Sequence, residues 1–148
     1  AEALTDLDTA DVPSSLQQLW RRAALNVAVR NTDDHLKNHA VLWGRDGWRL
    51  SPAFDITVNE VGGSYRATAM DGHSSPGGET RGLAGLADAF GLTVPVQQAI
   101  LDDILRATQH WRERAAALKI APSEITQLAR TLDDARDRLI AMATSLSR

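Results

Sequence analysis

The sequence predicts a mainly α-helical domain that carries one small β-hairpin. Three observations support this. Apolar residues recur at three- and four-residue spacing over residues 16–28, 100–118 and 125–146, the stripe of an amphipathic helix. Pro13, Pro95 and Pro122 stand where those stripes begin, and proline is favoured in the first helical turn because its missing N–H would be unpaired there anyway. The clearest strand pair, Ala40-Val41-Leu42-Trp43 with Trp48-Arg49-Leu50, brackets a glycine-edged turn, Gly44-Arg45-Asp46-Gly47.

The elements follow in order. Residues 1–12 are acidic with little periodicity and read as a lead-in or linker. A helix starts at Pro13-Ser14-Ser15, capped by Asp11 or a serine, and carries Leu16, Leu19, Trp20, Ala23, Ala24, Val27 and Ala28 on one face. It ends at the polar run Asn31-Thr32-Asp33-Asp34-His35-Leu36-Lys37-Asn38, which is expected to be a loop. The hairpin comes next and returns the chain, through Ser51-Pro52-Ala53-Phe54-Asp55, toward that loop. Residues 56–78 are rich in glycine, serine and turn formers, so a mobile loop with a short strand near residues 65–70 is expected. Thr80 is placed to cap a short helix ending at Gly91. One long helix is expected from Pro95 through Leu118, and a last one from Pro122.

Composition narrows the function. The chain has 148 residues, enough to bury a core, and its apolar and charged fractions are those of a globular protein. It has no cysteine, which excludes a disulfide framework and a Cys-based zinc site. The net charge is −3, and Glu2, Asp6, Asp8 and Asp11 concentrate the negative charge at the start. No basic stripe of the kind that phosphate-backbone binding needs is visible. No apolar run reaches membrane-spanning length and no signal pattern opens the chain, so no membrane partner and a cytoplasmic location are expected.

The chemistry is concentrated in the polar loop. Asp33, then Asn38 five residues on, then Asp55 past the hairpin, is a pattern by which kinases assemble a phosphoryl-transfer site. The first carboxylate orients and deprotonates an acceptor hydroxyl, while the amide and the second carboxylate hold Mg²⁺ on nucleotide phosphates. The hairpin gives the reason to group them, since it brings Asp55 back to the loop. Lys37, one of two lysines, is suited to neutralise charge on a transferred phosphoryl group. His35 is expected to hold the loop by bonding backbone or carboxylate, and His39 to be structural or exposed. The two histidines lack the intervening glutamate of an H-E-x-x-H zinc site. The four tryptophans read as core or interface aromatics.

These residues also resemble a known family. Asn31-Thr32-Asp33-Asp34-His35-Leu36-Lys37-Asn38 and Leu50-Ser51-Pro52-Ala53-Phe54-Asp55 are similar to the N-x-D-x-H-x-K-N and L-[ST]-P-A-[YF]-D signatures of HipA-like serine/threonine kinases, the toxins of bacterial toxin–antitoxin pairs. The resemblance implies the helical C-terminal lobe of such a kinase over residues 13–148. It implies Asp33 as catalytic aspartate, His35 and Lys37 as fixed positions of the catalytic loop, and Asn38 and Asp55 as the Mg²⁺-binding pair that faces ATP. It further implies an ATP-dependent transfer to a protein hydroxyl, with glutamyl-tRNA synthetase as the best-known target. The implied partner is a helix-turn-helix antitoxin through which DNA is reached indirectly. No phosphate-covering segment precedes residue 13, so the chain by itself is expected to be inactive and to bind ATP weakly. Two other readings fit the same residues: a non-catalytic interaction module, and a small-molecule or lipid kinase lobe.

Overall fold

The first helix, α1 (Val12–Ala28), begins where the Asp11 carboxylate accepts a hydrogen bond from the Ser14 backbone N–H at 2.9 Å. Its end is set by Arg30, whose φ of 57° places it in the left-handed region. The Asn31 N–H then reaches the Asn26 carbonyl at 2.8 Å and the Arg30 N–H the Val27 carbonyl at 3.1 Å, the paired bonds of a Schellman stop. Glycine is the usual residue at that position, and a side chain there costs about 1 kcal/mol. The use made of the Arg30 side chain explains why one is present.

The computed structural model describes residues 11–45, 47–59 and 65–148. After α1 the chain makes a 3-10 turn (Leu36–Asn38) and enters the hairpin β1 (Val41–Gly44) and β2 (Gly47–Leu50), antiparallel with Val41 opposite Leu50 and Trp43 opposite Trp48. Four helices follow: α2 (Glu79–Ala89), α3 (Val94–Thr108), α4 (Trp111–Ala117) and α5 (Pro122–Leu146). The mainly helical class with one small hairpin is as expected.

The core lies where α1 meets α2, α3 and α5. Trp20, Ala24 and Val27 of α1 pack with Leu83 and Ala87 of α2, Ile100, Leu101 and Ile104 of α3, and Leu139 and Met142 of α5. Trp20 is fully buried and its indole N–H donates to the Leu83 carbonyl at 2.8 Å, so the largest core side chain leaves no polar atom unpaired. The remaining tryptophans lie outside this core. Trp43 is 65% exposed and meets Trp48 edge to face at 5.3 Å, and Trp111 lies under the Arg112 guanidinium. Gly82 is required for close packing: a Cβ there would sit 2.5 Å from the Met70 carbonyl oxygen, so the loop before α2 lies directly on the helix backbone.

Several expectations are corrected. The helix expected from Pro95 to Leu118 is two helices, because α3 stops at Thr108 and α4 starts at Trp111. The break is stabilised from a distance. The Arg136 guanidinium of α5 donates to the Leu105 carbonyl at 2.7 Å and to the Thr108 hydroxyl at 3.4 Å, satisfying groups at the end of α3. Leu118, placed on the buried stripe, is 77% exposed. The short strand near residues 65–70 is absent; a single bridge joins Met70 to His73. Helix α2 begins at Glu79, with Gly78 rather than Thr80 at the cap position, and Gly91 closes it as expected with a φ of 66°. Most of the acidic lead-in, the turn residue Asp46 and the Gly62-Gly63-Ser64 run lie outside the described residues.

Candidate functional site

The loop after α1 is organised by one buried side chain, Asn31. Its amide nitrogen donates to Asn26 Oδ1 at 3.1 Å and to the Asp55 carbonyl at 3.5 Å. Its amide oxygen accepts from the Asp33 N–H at 3.3 Å and from the Thr57 hydroxyl at 3.5 Å. The backbones of Asp33 and Asp55, 22 positions apart in sequence, are thus tied to the two ends of one amide. Further bonds seal the same junction: the Asn59 N–H reaches the Arg30 carbonyl at 3.1 Å, and the Ser51 N–H reaches the Ala40 carbonyl at 2.8 Å. Arg22 of α1 donates to the Ser51 carbonyl. Burial lowers the pKa of this guanidinium below its ordinary value, and the nearby Asp34 carboxylate opposes that shift.

Asn38 is buried, and its amide nitrogen donates to the Asp33 carbonyl at 3.1 Å. A carbonyl only accepts, so this contact fixes which end of the amide faces Asp33 and leaves Asn38 Oδ1 for another partner. Asp33 and Asp55 are exposed, and so is Lys37. Asp55 sits in the left-handed region at φ 56°, a conformation that is costly for most side chains and is tolerated best by glycine, asparagine and aspartate. The hairpin therefore brings Asp55 back to the loop as expected, and the three residues share one junction. Two exposed carboxylates and one amide oxygen are hard oxygen donors of the kind that Mg²⁺ takes together with phosphate and water, and the backbones that carry the two carboxylates meet at Asn31.

Of the two histidines, His39 is structural as expected and His35 differs from expectation. His35 is half-buried and its Nδ1 has no hydrogen-bond partner among the described residues. His39 instead holds the loop, with its Nε2 2.9 Å from Asp34 Oδ1. The contact closes a short ring over residues 34–39, which contains Lys37 and Asn38. Burial pushes the Asp34 carboxyl up, but His39, Asn26 and Arg66 together outweigh it and hold the group below the usual carboxylate range.

Sequence reasoning missed a buried charge cluster beneath this loop. Glu79, at the start of α2, is fully buried. Arg30 Nη1 donates to both of its carboxylate oxygens at 2.9 Å, Arg66 Nη1 donates to Oε1 at 3.2 Å, and Arg138 Nη2 of α5 lies 3.6 Å from Oε2. Arg66 also places Nη2 3.5 Å from Asp34 Oδ2, an ion pair rather than a hydrogen bond. The only local signal was an arginine at the helix stop where glycine is usual.

These features define a mainly helical lobe whose chemistry-bearing loop and hairpin are pinned to its first helix. The chain belongs to the HipA family: the sequence profile of the HipA-like C-terminal domain matches residues 1–138. Its fold is similar to that of HipA from Shewanella oneidensis MR-1, solved as a toxin–antitoxin complex of HipA, HipB and operator DNA. That match has a TM-score of 0.68 at 16% identity and covers 94% of this chain and 35% of the HipA chain. The chain therefore spans about a third of the length of the HipA it resembles. No curated protein matches the sequence. Among the described residues no helix is long and apolar enough to cross a membrane.

Proposed function

We propose that this chain carries the metal-holding and proton-handling half of a phosphoryl-transfer site, acting on a protein hydroxyl with Mg-ATP as donor. The observation that carries the reading is the Asn31 amide, which ties Asp33 to Asp55 while Asn38 turns its nitrogen to Asp33 and its oxygen away. Asn38 Oδ1 and the Asp55 carboxylate are the residues that would hold Mg²⁺, and the ion would neutralise charge on the phosphates. The exposed Asp33 carboxylate accepts the proton of the attacking hydroxyl. Its backbone is fixed on both sides, by Asn31 at the N–H and Asn38 at the carbonyl, so the carboxylate is aimed before substrate arrives. Lys37, exposed on the same turn, supplies positive charge toward the transferred group.

A nucleotide also needs a cover over its phosphates, and the two-thirds of the HipA chain without a counterpart here is the natural source of it. The same similarity supports a toxin's role, with an antitoxin of the HipB type as partner and DNA contacted through that antitoxin. The test is transfer of labelled γ-phosphate to protein by the chain together with a nucleotide-binding lobe of the family. Transfer that Asp33→Asn abolishes supports the reading. Transfer that persists in Asp33→Asn, or label that appears only in small molecules or lipids, contradicts it.

A further inference from the structure

Asp33 and Asn38 gain their relative position from a loop that has little regular structure of its own, so something else must hold it. The ring over residues 34–39 is closed by the Asp34–His39 contact at 2.9 Å, between the residues that directly follow Asp33 and Asn38. Asp34 is in turn anchored from outside the loop. Its second oxygen lies 3.5 Å from Arg66 Nη2, while Arg66 Nη1 donates to Glu79 at 3.2 Å. Arg66 is itself immobilised: its side chain is 1% exposed, its N–H donates to the Ser74 carbonyl at 2.9 Å, and the next residue, Ala67, donates to the Thr32 carbonyl at 2.8 Å. Arg66 thus touches the loop twice, once through the side chain at Asp34 and once through the adjoining backbone at Thr32. Glu79, with Arg30 and Arg138 also on it, connects this contact to the helical body.

We propose that Arg66 is a positioning residue, acting through Asp34 and His39 to hold the loop that sets Asp33 against Asn38. This rests on the reading of Asp33 and Asn38 as parts of the reacting site. Arg66 touches no reacting atom in this account. Its guanidinium fits the role because a planar fork can address two carboxylates at once, whereas a lysine ammonium is a single point of charge. The inference also gives a purpose to the segment around residues 65–74, which has almost no regular structure and yet lies directly against α2 at Gly82.

The test is residue-resolved amide hydrogen exchange on the isotope-labelled chain, comparing wild type with Arg66→Gln and Asp34→Asn. The expected result is exchange about tenfold faster or more at Asn38 and His39, with the Leu139 amide of α5 changed by less than about twofold. Asp34→Asn breaks the ring itself and leaves all three arginines on Glu79. If Arg66→Gln does not fold, Arg66→Lys, which loses the fork but keeps a charge on Glu79, decides the matter. Uniform acceleration throughout the helices, unchanged exchange in the loop, or unfolding of both Arg66 variants would assign the contact to general stability and overturn the proposal. The readout needs no nucleotide. A wild type that transfers no phosphate even with a nucleotide-binding lobe would defeat the kinase reading, while the loop's dependence on Arg66 would stand or fall separately.

Discussion

Two groups of charged residues, closest in sequence at Arg30 and Asp33, meet opposite physical fates in this lobe. Glu79, Arg30 and Arg66 are withdrawn from water and are paired with one another. Asp33 and Asp55 are exposed, and among the described residues only their backbones are engaged. A buried carboxylate surrounded by guanidiniums is a structural device, since any ligand would have to displace partners that burial has made strong. An exposed carboxylate on a fixed backbone is available for chemistry. Asn31 joins the two groups: it follows Arg30 in sequence and bonds the backbones of Asp33 and Asp55.

The comparison predicts a graded set of outcomes. The largest is for Glu79→Gln, which leaves buried arginines without their counter-charge. Loss of about 3–5 kcal/mol of stability is expected in denaturant unfolding. A loss below about 1 kcal/mol would mean that water or rearrangement compensates the cluster.

Asn31→Ala comes next, because it strips partners from several groups at the junction while leaving the ion cluster alone. A loss of about 2 kcal/mol is expected, together with looser attachment of the segment bearing Asp55, visible as faster exchange of the Asn59 amide.

The effect of Asp34 is smaller and depends on pH. Its carboxyl is held below the usual range in the folded protein, so its contribution is complete above the unfolded value of about 3.9 and is lost as pH falls through the lower folded value. Stability of wild type and Asp34→Asn should therefore converge as the solution is acidified and separate again toward neutral pH. A difference that stays constant across the acid range would contradict the assigned ion pairs.

The smallest effects belong to the exposed group. Asp33→Asn should change stability by no more than about 0.5 kcal/mol. Asp55→Gly relieves a left-handed backbone and should leave the protein as stable as wild type, or up to about 1 kcal/mol more stable, while removing the carboxylate. Strain kept at a position that glycine would relax is the mark of a residue retained for its side chain.

Much of this was legible in sequence, for local reasons. Helices α1 and α5 announced themselves through periodicity and proline starts, the hairpin through its glycines, and the grouping of Asp33, Asn38 and Asp55 through the return of the chain. What was illegible depended on partners distant along the chain. Arg30 and Glu79 are 49 residues apart, and each alone looks like a solvated surface charge. The stop of α3 has no glycine or proline to mark it, and Arg136 of another helix satisfies the Leu105 carbonyl in its last turn. Asn31 belonged to the motif but was not singled out, since an asparagine after a helix is common and its four bonds are visible only once the loop and the Asp55 segment meet. That His39 and not His35 holds the loop has the same origin: only the fold decides which ring reaches Asp34.

On the proposed function, the exposed group, and not the buried one, meets metal and nucleotide. The most direct test is a titration of the isotope-labelled chain with Mn²⁺ and ATP, reading paramagnetic broadening. Broadening is expected first at the side chains of Asn38 and Asp55, with Glu79 and Arg30 affected only at higher Mn²⁺ and the effect lost in Asp55→Asn. Broadening centred elsewhere, or unchanged in Asp55→Asn, would contradict the assignment of these residues to a phosphoryl-transfer site.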